Sequence, residues 1–336
     1  MSVTAKPIRI ALIQSDCVDE YFEALRKLES VDCHAVVPND RSDPALQSLA
    51  DPKSIIGIER LFENAADRFD VAVVDSPLPM RAEIARRLAE AGKPSCLNFP
   101  PASQASEWNE LCAVFQRTGV PWMVANPWRC HAYLNTIQQS LESNQLGRPG
   151  LLRVHHWARR PAIGRLDQVG IVSLAATQLD VACWLFGGRP TSVYAVALSQ
   201  SSPSSDHAMD ERTGGLQIHL GFADGGMAQI GCVVAPHCQP YSMVTLVGSQ
   251  GAAYADDHHN MNLLIGERNE SLLVEQRADS IARLLDTLSD CFGEFDDRRV
   301  CTPAELTVVY QVAQAVAESL GNGKAGVWDG ERYEFS

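Results

Sequence analysis

The chain has 336 residues, enough for two domains of about 150 residues each. Its 46% hydrophobic and 21% charged residues are those of an ordinary globular protein. A formal net charge of −13 argues against a nucleic acid or an anionic membrane surface as partner, because both require clustered Lys and Arg.

Ten cysteines are spread through apolar segments, and the sequence contains no Cys-x-x-Cys pair. This pattern predicts buried, reduced thiols rather than a disulfide framework or a zinc site. The first seven residues form no apolar signal core, and no continuous run of about 18 apolar residues occurs. We therefore expect a cytoplasmic protein.

The first third of the sequence alternates short apolar runs with helical patterns. The apolar runs predict strands at 8–13, 32–37, 70–74, 94–97 and 121–125, and the patterns between them predict helices at 18–29, 57–67, 79–91 and 104–117. Strands that are apolar throughout and alternate with helices indicate a parallel sheet covered on both faces. Right-handed crossovers then give a doubly wound α/β domain over residues 1–126.

The turn after the first predicted strand has the position of a pyrophosphate-binding loop, yet it contains no glycine. Residues 14–17 read Gln-Ser-Asp-Cys, and Asp19 and Glu20 follow directly. Phosphate binding needs glycines that let backbone N–H groups approach the anion, and a helix N-terminus free of competing negative charge. The sequence thus predicts the scaffold of a nucleotide-binding unit with altered chemistry.

After residue 126 the pattern changes to longer strands with period-two alternation. Strands are predicted at 150–157, 190–199, 213–222, 226–234 and 241–247, and helices at 131–144, 170–186, 277–293 and 302–320. Turn signals such as residues 223–226 separate the strands and indicate an antiparallel meander. The second domain, residues 127–336, is therefore expected to be α+β with an open, mostly antiparallel sheet.

Five segments resemble the Gfo/Idh/MocA oxidoreductases, the family of glucose–fructose oxidoreductase and inositol dehydrogenase. They occur in the family's order and spacing at residues 69–77, 90–102, 183–195, 245–253 and 302–306. The resemblance covers essentially the whole chain. It implies a Rossmann-type NAD(P)-binding domain, a substrate domain that forms homo-oligomers through its sheet, and oxidoreductase activity on a sugar, polyol or related hydroxyl compound.

The resemblance also implies where a dinucleotide would bind. The corresponding positions are Ser15, Asp16, Asn39, Ser76, Pro77, Asn98 and Pro100. In the family's Glu-Lys-Pro signature, Asn98 replaces the Glu and Phe99 replaces the Lys that assists proton transfer. A phenyl ring neither donates nor accepts a proton, so we expect this role to be absent.

The family's substrate helix carries an Asp, a His four residues later, and a second Asp after three more. Those positions are Ser173, Thr177 and Asp180 here. The family's His acts as general acid and base, a task for a group that titrates near neutrality, which Thr177 does not. The candidate catalytic positions are therefore Asp180, Thr177 and Phe99, and Asp180 is equally compatible with a capping or ion-pair role.

Several polar and aromatic residues are candidates for binding a small ligand such as a sugar or an acid. Arg129 follows the fifth strand and has the planar fork that binds carboxylate or phosphate, and His131 comes two residues later. Strand alternation places His155, Trp157 and Arg159 on one side, which faces either a ligand cleft or the covering helices. No metal site is expected, because His258 and His259 lack a defined third ligand.

The sequence leaves three functional hypotheses. The first is a pseudoenzyme that has lost or greatly reduced its nicotinamide-dependent hydride transfer and acts as a binding or structural subunit. The second is an active NAD(P)-dependent oxidoreductase, in which Ser15 helps to hold the pyrophosphate and His131 or His155 serves as the base. The third, a cofactor-independent lyase or hydrolase, has no nucleophile and base pair to support it.

Overall fold

The computed structural model describes residues 7–13, 18–38, 55–64, 69–159, 166–199, 214–235, 237–256, 260–265, 268–273, 277–290 and 300–335. Its contacts divide the chain into two compact units. The first unit combines Met1–His131 with Gln276–Pro303, and the second combines Ala132–Glu275 with Ala304–Ser336. The expectation of a continuous second domain from residue 127 to the end therefore differs from the structure, since residues 276–303 return to the first unit.

The first unit alternates strands and helices as the sequence predicts. Its elements are β1 (Ile8–Ile13), α1 (Val18–Leu25), β2 (Val31–Val37), α2 (Ile58–Asn64), β3 (Val71–Val74), α3 (Leu78–Glu90), β4 (Ser95–Asn98), α4 (Ala105–Thr118), β5 (Trp122–Ala125) and a 3₁₀ turn (Pro127–Cys130). The central strand β3 is apolar and buried along its whole length, as expected for a strand between two helical layers, whereas β2 carries exposed Asp32 and His34.

The sheet of the first unit has the strand order β14-β5-β4-β3-β1-β2, in which β14 is the short strand Val300–Cys301. The pairs β1–β2, β1–β3, β3–β4 and β4–β5 are all parallel, which confirms the doubly wound α/β fold. The chain winds one way from β1 to β2 and the other way from β3 to β5. The point between β1 and β3 is therefore the topological switch, outside whose carboxyl ends such folds bind ligands.

A later segment completes this first unit. It consists of α7 (Arg277–Asp290) and β14 (Val300–Cys301), and β14 pairs antiparallel with β5 at the edge of the sheet. The apolar stripe of α7, with Ile281, Leu284, Leu285 and Leu288, packs into the same core cluster as Leu12 of β1. Burial of this stripe explains why the segment belongs with the first unit although its sequence lies far away.

The second unit contains one large sheet and its covering helices. Its elements are α5 (Ala132–Glu142), β6 (Pro149–Ala158), α6 (Gln168–Leu185), β7 (Ser192–Ser199), β8 (Gly214–Gly221), β9 (Met227–Val234), β10 (Tyr241–Gly248), β11 (Gly251–Asp256), β12 (Asn260–Ile265), β13 (Arg268–Leu273), α8 (Pro303–Asn322), β15 (Gly326–Trp328) and β16 (Tyr333–Phe335).

This ten-stranded sheet has the order β13-β12-β11-β10-β6-β9-β8-β7-β15-β16. It is antiparallel except between β6 and β9, so the expectation of a mostly antiparallel sheet is confirmed. The meander is confirmed for β7, β8 and β9 but is wrong for β9 and β10, because β6 lies between them and pairs with both. Alternation fixes the faces of a strand and leaves its neighbours undetermined.

One face of the second sheet is covered and the other is open. Leu152 and Val154 of β6 are fully buried on the covered face, and the α8 hydroxyl of Ser319 accepts a 3.0 Å hydrogen bond from the backbone N–H of Ala195 in β7. The open face carries large apolar side chains that remain substantially exposed. They are Trp157, Tyr194, Val196, Met227, Val247 and Tyr254.

Among the described helices, α6 is long and apolar enough to cross a membrane by length and composition. Its 18 residues have a mean hydropathy of 1.3, and 78% of them are buried inside the fold. A helix of this kind is also what the core of a soluble protein contains, and Asp180 within it is fully buried.

The described cysteines are all free thiols. Cys96, Cys130, Cys183, Cys232 and Cys301 are buried. Burial raises the pKa of Cys33 to about 12 and the pKa of Cys112 to about 11, so both stay protonated at neutral pH. These side chains behave as small hydrophobic residues, as the sequence predicts.

Candidate functional site

The candidate site of the first unit lies at the carboxyl ends of β3 and β4. The register pairs Val74 with Leu97, so Asp75 and Asn98 occupy neighbouring positions at the carboxyl ends of the two strands. The side-chain amide of Asn98 donates a short hydrogen bond to Asp75 Oδ1, and Asn98 Oδ1 accepts one of 2.8 Å from the backbone N–H of Phe99. We refer to Asp75 and Asn98 as the carboxylate–amide bridge. This bridge connects the carboxyl ends of β3 and β4.

Arg81, in the first turn of α3, forms hydrogen bonds with the backbone that follows β3 and β4. Its guanidinium donates to the carbonyl of Ser76 at 3.0 and 2.7 Å, to that of Asn98 at 3.3 Å and to that of Pro100 at 2.6 Å. Arg81 is buried on the apolar stripe of α3, next to Ile84 and Ala85. The fork of an arginine can serve several carbonyls at once, so this side chain fixes the turns that follow β3 and β4.

The remaining predicted cofactor positions of this unit lie in the turns that Arg81 fixes. Ser76 is fully buried, and within the described chain its hydroxyl has no hydrogen-bond partner. Pro77 caps the N-terminus of α3 and makes no side-chain hydrogen bond there. Phe99 is 5% exposed and precedes Pro100 through a cis peptide bond. The ring of Phe99 is therefore a packed core side chain, at the position that the resemblance aligns with the family's Lys.

Among the residues that the structure describes, the polar groups at this edge do not favour the pyrophosphate of an NAD(P) dinucleotide. The first turn of α1 carries Asp19 and Glu20, and the last turn of this helix has no basic residue. Asp75 adds a third carboxylate at the neighbouring strand end. An anionic pyrophosphate is stabilised by backbone N–H groups and positive charge at a helix N-terminus, and carboxylates there oppose it. We derive no chemical step through such a cofactor.

In the 3₁₀ turn after β5, Arg129 has a structural role. Asn126 is fully buried, and its side-chain oxygen accepts a 3.0 Å hydrogen bond from the backbone N–H of Trp128. Arg129 is 1% exposed and lies 3.5 Å from the carbonyl oxygen of Val300 in β14. His131 is half-buried, with its ring edge-on to Trp128 at 6.3 Å between centroids. Arg129 therefore ties the turn to β14, and of the two predicted ligand-binding residues His131 is the more accessible.

The second unit brings the three substrate-helix positions onto one stripe of α6. Ser173, Thr177 and Asp180 are spaced by four and three residues, which places them on the same helix face. Ser173 is exposed, Thr177 is half-buried and Asp180 is fully buried. The carboxylate of Asp180 is therefore the most buried of the three, and the exposed end of the stripe carries a hydroxyl that does not titrate near neutral pH.

The predicted aromatic platform of β6 lies on the open face of the second sheet. The helices cover the face of Leu152 and Val154, so the side with His155 and Trp157 points the other way. Trp157 packs against Tyr241 at 5.2 Å between ring centroids. The ring of His155 lies above Gly231, where an added Cβ would be 3.3 Å from its Nδ1 atom.

Arg159 lies just beyond the end of β6. Its Nε donates a 3.2 Å hydrogen bond to the carbonyl of Cys238. Ser15, Asp16, Asn39, His258 and His259 lie outside the described residues. Within the described ranges no group of three or more His, Cys, Asp or Glu side chains is arranged to hold a metal ion.

Asp75 and Arg81 are the site residues that sequence reasoning misses. Both had a signal in the sequence. Asp75 is a carboxylate placed directly after a fully apolar strand, and Arg81 interrupts an apolar stripe that continues with Ile84, Ala85 and Leu88. A charged residue at such a position needs a specific partner, and here the partners are an amide and three backbone carbonyls.

The fold and the site together define a class of protein. The first unit is a Rossmann-type doubly wound sheet, and the second unit is a mostly antiparallel sheet with helices on one face. Residues 134–254 match the model of the GFO/IDH/MocA C-terminal domain. This match bears out, for the second unit, the resemblance to the Gfo/Idh/MocA family that the sequence predicts.

Known proteins share this architecture at low sequence identity. The chain is 23% identical over 266 residues to the uncharacterized oxidoreductase YrbE of Bacillus subtilis (strain 168), which covers 76% of each protein. An aldose-aldose oxidoreductase from Caulobacter crescentus, complexed with glycerol, is similar with a TM-score of 0.76 and 17% identity, over 96% of this chain and 100% of that one. An oxidoreductase from Agrobacterium radiobacter, in complex with NAD+, L-tartaric acid and magnesium, is similar with a TM-score of 0.72 and 16% identity, over 95% and 98%.

Proposed function

We propose that this chain is a Gfo/Idh/MocA protein whose nicotinamide-dependent hydride transfer is lost or greatly reduced, and that it acts as a binding or structural subunit. The observation that carries the proposal is the end of β4. There Asn98 is engaged with Asp75, and Phe99 is packed in the core where the family has its lysine. Thr177, in place of the family's histidine on α6, offers no group that takes up or releases a proton near neutral pH.

The proposal predicts that the protein does not bind nicotinamide dinucleotides with useful affinity. Titration of the purified protein with NADH and with NADPH, followed by nucleotide fluorescence, is expected to give no saturable binding in the micromolar range. The physical reason is the pair of carboxylates, Asp19 and Glu20, in the first turn of α1, together with the absence of glycine from the sequence of the preceding turn. Micromolar binding of either nucleotide would contradict the proposal.

A second candidate function is an active NAD(P)-dependent oxidoreductase with a rearranged site. It is favoured by the similarity of the whole fold to the Agrobacterium radiobacter protein that was crystallised with NAD+ and L-tartaric acid. The half-buried His131 or His155 would then be the base, and a small hydroxylated acid, sugar or polyol would be the substrate. Absorbance at 340 nm, followed with sugars, polyols and amino sugars, tests it, and no change with any of them would reject it.

We also propose that the protein is a homo-oligomer that buries the open face of its second sheet. Large apolar side chains exposed on an open sheet face are typical of an interface. Replacing Val196 and Val247, which are 43% and 40% exposed on this face, by Asp is expected to convert the oligomer into monomers, because two carboxylates would be desolvated there. Size-exclusion chromatography with light scattering measures the mass.

A matched control for the oligomer prediction is available on α6. Val169 is 42% exposed and lies on this helix rather than on the sheet. Val169→Asp should leave the mass of the oligomer unchanged. If the double variant of the open face keeps the mass of the unaltered protein, the interface lies elsewhere.

A further inference from the structure

The position of Asp75 is set by the topology of the first sheet. Its backbone N–H donates a 3.1 Å hydrogen bond to the carbonyl of Ile13, the last residue of β1. Asp75 therefore stands between the carboxyl ends of β1 and β3, which is the topological switch point of this doubly wound sheet. We call the space outside these two strand ends the switch-point crevice. In open α/β sheets this is where ligands bind.

The charges around the switch-point crevice have one dominant sign. Asp19 and Glu20 occupy the first turn of α1, which follows β1, and Asp75 follows β3. The amide of Asn98 holds the Asp75 carboxylate in place by donating to it. Because the residue is almost entirely buried, its charge is screened by solvent far less than that of a surface carboxylate.

Among the described residues, Arg81 carries a positive charge in the first turn of α3, the helix that follows Asp75. Arg81 donates to the carbonyls of Ser76, Asn98 and Pro100, so its described hydrogen bonds go to the backbone. Its electrostatic field still extends into the surroundings, and the negative charge of Asp75 offsets part of that field. Removing the charge of Asp75 would therefore leave the field of Arg81 uncompensated at the strand ends.

We infer that Asp75 is a specificity-determining residue. Its negative charge makes the switch-point crevice unfavourable for ligands that carry a pyrophosphate. The inference rests on the proposed loss of dinucleotide binding and supplies a cause for it. Asn98 is the positioning residue of Asp75, since it fixes the carboxylate through the carboxylate–amide bridge. The crevice is thereby suited to a neutral or cationic ligand rather than to a dinucleotide.

The test is the isosteric variant Asp75→Asn, whose side-chain oxygen still accepts the hydrogen bond from Asn98. NADH is titrated by fluorescence at about 20 mM and about 1 M salt. At low salt the variant is expected to bind NADH about tenfold more tightly than the unaltered protein, because one unit charge is removed near the anion. At high salt the difference should fall below about twofold, since the Debye length is then about 3 Å.

The matched control lies on the same strand at its other end. Asp70 precedes β3 and pairs with Arg9 at 2.7 Å, and five residues of extended chain place it about 16 Å from Asp75. Asp70→Asn removes the same charge from the unit and is expected to change the NADH affinity by less than about twofold. Equal effects of both variants, or no tightening with Asp75→Asn, would overturn the inference.

The outcomes also separate this inference from the proposed function. Micromolar binding of NADH by the unaltered protein overturns the proposed loss of cofactor binding, whatever the variants do. The ratio of the dissociation constants of Asp75→Asn and the unaltered protein tests the role of Asp75 alone. If neither protein shows binding up to about 1 mM NADH at low salt, the charge of Asp75 does not control affinity and the inference fails.

Discussion

Replacing Arg81 by Met is expected to lower the free energy of unfolding by about 3 to 5 kcal/mol. Methionine fills much of the volume but removes every donor that serves the carbonyls of Ser76, Asn98 and Pro100. A buried carbonyl without a partner costs about 1 to 3 kcal/mol, and these three lose the guanidinium together. Urea denaturation followed by circular dichroism measures the change.

The control for Arg81 is another arginine of the same helix. The side chain of Arg86 is 42% exposed and pairs with Glu83 at 2.6 Å and Glu90 at 2.8 Å. Arg86→Met should cost less than about 1 kcal/mol, because exposed ion pairs contribute little. Arg81→Lys keeps the charge without the fork and is expected to fall between the two. A loss in Arg81→Met no larger than in Arg86→Met would show that the carbonyls do not depend on this side chain.

Leu285→Ala is the second variant with a large expected effect, a loss of about 3 to 4 kcal/mol in the free energy of unfolding. Leu285 is fully buried on α7, in the core cluster that includes Leu12 and Val71 of the first sheet. Truncation removes its transfer free energy and leaves a cavity in a packed interior. Urea denaturation measures the loss of stability. Amide hydrogen-exchange rates should rise most in the strands of the first unit.

Asp286 provides the comparison for Leu285 on the neighbouring position of α7. It is exposed and accepts a 3.0 Å hydrogen bond from the hydroxyl of Ser30. Asp286→Ala should cost about 1 kcal/mol or less. If Leu285→Ala instead increased exchange only in the second unit, α7 would not be part of the first core.

Much of the fold could be predicted from periodicity, and the failures have physical causes. The strands and helices of the first third lie within a few residues of their predicted bounds. The strands β14, β15 and β16 have two or three residues each, too few to show a period. The placement of β6 between β9 and β10 depends on pairing between distant segments, which local alternation does not encode.

Part of the candidate site could likewise be predicted from the sequence, and part of it could not. The replacements at Asn98, Phe99 and Thr177 can be read from the sequence, because each is a change of residue type at a position that the family pattern identifies. The carboxylate–amide bridge could not be predicted, since it depends on the register of β3 against β4. Ligand binding by Arg129 stays a prediction, whereas its contact with Val300 of β14 could not be predicted, because the pattern does not reveal that strand.

The return of residues 276–303 to the first unit has a consequence for how the chain is made. During synthesis, β1 to β5 leave the ribosome long before the apolar stripe of α7 and the edge strand β14 that complete their sheet. At about 5 to 20 residues per second, the wait lasts on the order of ten seconds or more. The segment from β1 to β5 therefore cannot complete its core before α7 has been made. It must keep its incomplete hydrophobic face protected until most of the second unit has been translated.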